Sequence, residues 1–164
     1  MQFNGLLQTF PSHVKLFITA FVVVLTVGYV TGLTFVSQTD SDSPNGIEEN
    51  YLGNEEVEDA QVMKFEKGAR EMLTIIHTHI LSMSFIFFLL GSLVAMTSLP
   101  RKLKSFLMVE PFVSILLTFG GIWLLWMGYH WMKYIVMFSG ILMTAVYFLG
   151  VLAILRDLVK KPNQ

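Results

Sequence analysis

Four long apolar runs, nearly free of charge, leave this chain few ways to fold. Leu16 to Val36 carries no charged residue over 21 positions, Met72 to Leu99 none over 28, and Tyr134 to Leu155 none over 22. Phe106 to Gly128 holds a single acid, Glu110, near one end. About 20 such residues carry a helix across the hydrocarbon core of a bilayer. The expectation is therefore an all-α, four-helix transmembrane bundle whose first partner is the lipid bilayer. The second run is longer than spanning requires, which predicts tilt or projection beyond the membrane. The first is too long for the core of a cleaved leader, and Ser37-Gln38-Thr39-Asp40 follows it rather than a small-residue cleavage site, so it is expected to stay as an anchor.

Composition agrees. Apolar residues make up 54% of the chain and charged ones 14%, against about 25% charged in soluble proteins. The absence of cysteine excludes disulfides, thiolate metal sites, iron–sulfur clusters and covalent c-type haem attachment.

Charge segregation predicts the orientation. Lys15 precedes the first run, Arg101, Lys102 and Lys104 sit between the second and third, and Arg156, Lys160 and Lys161 follow the fourth, together seven of the eleven basic residues. Four crossings put these three places on one side. The segment from Ser37 to Glu71 lies opposite, with ten acids against Lys64, Lys67 and Arg70, a net charge of −7. The basic side is read as cytoplasmic, giving an N-in, C-in topology. Its parts are a cytoplasmic N-terminus (1–15), spans at 16–36, 72–99, 106–128 and 134–155, an extracytoplasmic acidic segment (37–71), a basic link (100–105), an outer link (129–133) and a cytoplasmic tail (156–164).

Within the acidic segment, Ser41, Ser43, Pro44, Asn45, Gly46, Gly53 and Asn54 mark Ser37 to Asn54 as irregular chain. From about Glu55, the apolar positions Val57, Met63, Phe65 and Met72 and the i,i+4 pairs Glu66–Arg70 and Lys67–Glu71 predict a helix that either leads continuously into the second span or lies briefly on the membrane surface.

Helices in lipid associate through small residues and polar contacts. Gly28 and Gly32 form a G-x-x-x-G step in the first span, expected to pack either internally or between subunits, and Gly120-Gly121, Gly140 and Gly150 offer further close approaches. Trp123, Trp126, Tyr129, Trp131 and Tyr134 around the outer link read as an interfacial aromatic belt. Glu110, about one turn inside the third span, is expected to pair with Arg101, Lys102 or Lys104 or to snorkel to the interface.

The histidines are the candidate cofactor residues. His77 and His79 begin the second span and His130 lies in the outer link, so all three belong to the outer surface; His13 lies on the other side. Residues i and i+2 of a helix point about 200° apart, so His77 and His79 cannot readily hold one metal together. Three readings stay open. One of them serves with a second axial ligand to a b-type haem, His130 being the other histidine at matching depth. One holds a metal or quinone headgroup with Glu66 or Glu71. Or they hydrogen-bond across the bundle and fix packing. Intramembrane histidine is rare and usually purposeful.

Two resemblances bear on this. Gly46-Ile47-Glu48-Glu49-Asn50-Tyr51-Leu52-Gly53-Asn54-Glu55, with Glu71-Met72-Leu73 and His77-Thr78-His79-Ile80-Leu81-Ser82-Met83, resembles small four-span bacterial inner-membrane proteins. Those proteins have an acidic outer loop and an H-x-H at the start of the second span. That likeness covers most of the chain from the first span onward. The H-x-H followed by Gly91 is similar, over one helix, to small relatives of haem–copper oxidase subunits, but the further intramembrane histidines of an oxidase core are lacking. The resemblances imply a bacterial cytoplasmic (inner) membrane protein associated with respiratory electron transfer.

No G-x-S-x-G, Walker, H-E-x-x-H or Rossmann pattern is present, and no catalytic residue is assigned. The reading is a non-enzymatic accessory or structural subunit, with other membrane subunits or self-association as protein partners and no nucleic acid. The alternative is a haem b electron carrier using His77 or His79. A small transporter is a third reading, with little chemistry to support it, since no charged pathway crosses the spans.

Overall fold

A computed structural model describes residues 4–55 and 62–160. These residues are helical or irregular, with no strand among them. A short helix α1 (Leu6–Thr9) precedes α2 (Ser12–Gln38); α3 (Pro44–Leu52) follows, then α4 (Ala69–Ala95), α5 (Arg101–Trp126) and α6 (Met132–Val159). Four of them, α2, α4, α5 and α6, are long and apolar enough to cross a membrane, at 26 to 28 residues each. At 1.5 Å per residue each is about 40 Å long, more than a hydrocarbon core of roughly 30 Å requires.

The four helices alternate in direction, and contacts at both ends show it. At the basic end, the α1 backbone meets the α4–α5 turn (Gly5 N–H to the Thr97 carbonyl, 3.1 Å). At the other end, the α3 end, the Trp126 indole N–H of α5 donates to the Lys67 carbonyl just before α4 at 2.8 Å.

Helices α5 and α6 form the centre. Half of the most apolar stretch of α5 is buried, against 11% in α2 and in α4, so the last two are peripheral. Glycines set the closest approaches. A Cβ on Gly121 of α5 would stand 2.8 Å from a Val136 methyl of α6, and one on Gly150 of α6 would stand 3.4 Å from Leu90 and Val94 of α4. Small residues at helix crossings replace, within lipid, the hydrophobic drive that operates in water. Aromatic rings lock α2 onto this core. Tyr29 stacks on Tyr147 with centroids 3.9 Å apart, and Phe87 meets Tyr147 edge-on at 6.0 Å.

The acidic segment departs from its sequence reading. Pro44–Leu52, expected to be irregular, is the helix α3, while Val62 to Gly68 is extended or bent rather than helical. Of the helix expected from Glu55 onward, Val57 lies outside the described residues. Ser43 and Pro44, read as turn formers, are helix-start residues: the Ser43 hydroxyl accepts from the Gly46 N–H at 3.0 Å, and Pro44 occupies the first turn. Gly53, at φ 82°, ends the helix in a conformation other residues avoid. Residues that start and stop a helix are the same ones that make turns, which is why the segment is ambiguous in sequence.

Candidate functional site at the α3 end

Charge and hydrogen bonding hold the acidic segment on the bundle rather than leaving it in solvent. Glu48 of α3 faces the α5–α6 link. Its carboxylate accepts from His130 Nδ1–H at 2.5 Å with one oxygen and from Lys133 Nζ at 2.5 Å with the other. Lys133 also donates to Asn45 Oδ1 at 3.0 Å. Burial would raise the Glu48 pKa, but the bonds from Lys133 and His130 outweigh it and hold the carboxyl below its ordinary range. On the same helix, burial pushes the Tyr51 phenol up to about 12.

Asn54, which is buried, ties Val62 and Lys64 to the end of α3. Its side chain donates to the Val62 carbonyl at 3.0 Å and accepts from the Lys64 N–H at 2.7 Å, while Lys67 N–H reaches the Tyr51 carbonyl at 3.1 Å. Lys64 crosses to the end of α2, meeting the Thr39 carbonyl at 3.1 Å and Asp40 at 3.3 Å. Lys67 and Glu71 make the expected i,i+4 ion pair at 2.9 Å, although Lys67 precedes the helix.

The three candidate histidines occupy different settings. His79 lies against α5, its ring 5.1 Å from that of Phe119. Its Nδ1 is 2.7 Å from the Ile75 carbonyl. A carbonyl only accepts, so Nδ1–H is the donor, and Nε2 is the lone-pair nitrogen of the neutral tautomer that this contact selects. His77 lies on another face, beside Arg70, Leu73, Thr74 and Thr78 in a shallow apolar groove. His130 is exposed and bonded to Glu48. Among the described residues, no three His, Asp or Glu side chains converge so as to hold a metal ion.

The packing candidates are equally distinct. Gly28 and Gly32 have nothing within 4 Å of where a Cβ would stand, so their face of α2 takes no part in the internal packing. Glu110 does not make the expected ion pair. It is buried on α5 and bonded to the Ser114 hydroxyl, while Lys104 is engaged with Asn4 Oδ1 at 2.8 Å and the Ala95 carbonyl at 3.2 Å. The side chain of Glu110 turns inward along the helix, away from the basic link.

Two buried polar residues had no sequence signal. Asp157, expected in the cytoplasmic tail, is buried on α6 and accepts from both the backbone N–H and the hydroxyl of Ser98, the latter at 2.9 Å. Ser139 pairs with Thr118 at 2.7 Å across the α5–α6 interface. Their partners are distant in sequence, and only the packed bundle brings them together.

A family model for a transmembrane helical domain, Aq_1264_TM, matches residues 41–164, and the chain belongs to that family. No curated protein and no solved structure matches it.

Proposed function

We propose that this member of the transmembrane helical domain family is a non-enzymatic accessory subunit of a bacterial cytoplasmic membrane, binding other membrane helices through α2. Its basic end faces the cytoplasm and its α3 end the exterior, as the distribution of Lys and Arg argues. The observation that carries the reading is the open Gly28-x-x-x-Gly32 face. Elsewhere this bundle spends glycines on close helix contacts, at Gly91, Gly121 and Gly150. On α2 the pair is exposed, and Thr31 beside it has its hydroxyl satisfied by the Gly28 carbonyl at 2.7 Å. The stripe is flat and apolar, fit for another helix to approach closely.

Replacing Gly28 and Gly32 together by Leu tests this. The substitutions meet open space within the chain, so helicity should be unchanged and stability should stay within about 1 kcal/mol of wild type. Association, read by crosslinking and mass spectrometry of protein in mild detergent, should fall at least tenfold. A wild-type protein that is monomeric and recovers no partner removes the reading.

The lone-pair nitrogen of His79 favours a second reading, axial ligation of a b-type haem by an electron carrier of the respiratory membrane. Its expected signature is a reduced-minus-oxidised haem spectrum in the haem-supplemented protein, lost in His79→Ala and kept in His77→Ala. No Soret change on reduction eliminates it.

A further inference from the structure

Where α4 crosses α5, the packing leaves a groove of about 400 Å³ open at the surface of the bundle. Phe87, Phe88 and Met96 of α4 and Met108 and Phe112 of α5 line it. Gly91 hollows it: a Cβ there would stand 3.8 Å from the Met108 side chain, and the glycine leaves that space empty. Ser92, at the edge, donates its hydroxyl proton back to the Phe88 carbonyl at 2.7 Å. The walls are therefore apolar, and the guest they suit is hydrocarbon.

The groove has a direction. Helix α4 runs toward the link that carries Arg101, Lys102 and Lys104, so Met96 marks the basic end and Phe87 the end deeper in the membrane. Phe87 to Met96 is nine positions, about 14 Å of helix, close to half of a hydrocarbon core of roughly 30 Å. That length is one leaflet. It matches the reach of a lipid tail, whereas a partner helix crossing the membrane calls for a groove along the whole span.

Cations stand at its mouth. Arg101, Lys104, Met108 and Phe112 recur at steps of three and four along α5 and so share one face of it. Lys104 Nζ donates to the carbonyl of Ala95, itself a groove residue, at 3.2 Å and to Asn4 Oδ1 at 2.8 Å. An ammonium has three donors, so one remains for a guest. Arg101 is exposed, and among the described residues no carboxylate pairs with Arg101, Lys102 or Lys104. Of the acids near this end, Asp157 is buried against Ser98 and Glu110 against Ser114. A cationic mouth over an apolar cleft one leaflet deep is complementary to an amphiphile with a negative head.

We propose that the α4–α5 groove is a binding site for an anionic phospholipid. One acyl chain lies along Phe87, Gly91 and Met108, and the phosphate meets Arg101 and the remaining donor of Lys104. The site is separate from the Gly28-x-x-x-Gly32 face of α2 and stands whether or not that face binds another helix.

Native mass spectrometry of the full chain in mild detergent supplies the test, with dioleoyl phosphatidylglycerol and dioleoyl phosphatidylcholine as probes of equal chains and different charge. One phosphatidylglycerol per chain should be retained, roughly tenfold more tightly than phosphatidylcholine, as two cations beside a charged head imply. R101Q should remove most of that preference. K102Q, which deletes the same charge about 100° round the helix from Arg101, should change it less than about twofold. Ser92 is exposed, so S92W should fold, and its indole should fill the cleft and weaken phosphatidylglycerol retention roughly tenfold with every cation in place. Equal retention of the two lipids, or equal losses in R101Q and K102Q, overturns the proposal in favour of diffuse attraction to a basic surface. So does displacement of the lipid by inorganic phosphate, which would leave the groove without a part. A wild-type dimer that S92W converts to monomer, with lipid retention unchanged, overturns it too and makes the groove a contact between copies of the chain.

Discussion

Asp157→Ala is expected to lower the thermal midpoint of the detergent-solubilised protein by roughly 10 °C, the equivalent of about 3 kcal/mol for a domain of this size. The side chain is 1% exposed and its carboxylate receives both the backbone N–H and the hydroxyl of Ser98, in the turn between α4 and α5. Removing it strands two half-buried donors of Ser98 and leaves a buried volume that the turn cannot readily fill. The effect should reach beyond the turn, because the same region holds α1: Leu7 is fully buried there and its N–H bonds the Met96 carbonyl at 3.3 Å. Asp157→Asn retains an acceptor for the Ser98 N–H and should cost less than half as much. Circular dichroism melts of the three proteins decide the matter; equal midpoints for wild type and Asp157→Ala would show that Ser98 finds other partners.

A second large effect is expected at the opposite end. A Cβ on Gly46 would fall 1.7 Å from the Asp40 carbonyl oxygen and 2.8 Å from its carbon, and both are backbone atoms with no rotamer to yield. Asp40 is itself held at φ 55°, so the chain there has little freedom to move aside. Gly46→Ala should therefore unseat the first turn of α3. Hydrogen exchange across residues 44–52 should accelerate by roughly a hundredfold, as overpacking of about 3 kcal/mol implies, with α5 and α6 unaffected.

Acid should undock α3 from the same surface without any substitution. The Glu48 carboxyl titrates below its ordinary range when folded, so its contribution is fully present above the usual carboxylate pKa. That contribution is lost as the pH falls through the depressed folded value. In wild type, exchange in α3 should thus rise at low pH, beyond the intrinsic pH dependence of the chemistry, and Glu48→Gln should remove most of that rise. Exchange in α3 that is insensitive to both Gly46→Ala and acid would mean the helix is held by something other than these contacts.

The two ends differ in how far local residues decide the structure. Length and freedom from charge are local properties, and they sufficed for an all-helical chain with four candidate spans, because a run of 20 apolar residues has one stable form in lipid. Local chemistry was less decisive in the acidic segment. Ser43, Pro44 and Gly53 are punctuation that both turns and helix ends use, and only the contact of Gly46 with Asp40 and of Glu48 with Lys133 selects the helix.

The candidate site divides the same way. The opposite facing of His77 and His79 followed from 3.6 residues per turn, but which of them meets α5 depended on the packing of Phe119. Glu110 was conspicuous as an acid in an apolar run. Its orientation toward Ser114 rather than the basic link was decided by the fold, since a flexible side chain goes where its partners are. Asp157 was invisible as a structural residue, because Ser98 lies 59 positions away. The sequence alone therefore determined that the chain is built to span a membrane four times, as hydrophobic length is written into consecutive residues. Tertiary structure decided which polar groups are paired and which, like Glu110 Oε2, are left without a partner, because hydrogen bonding between helices exists only once they have packed.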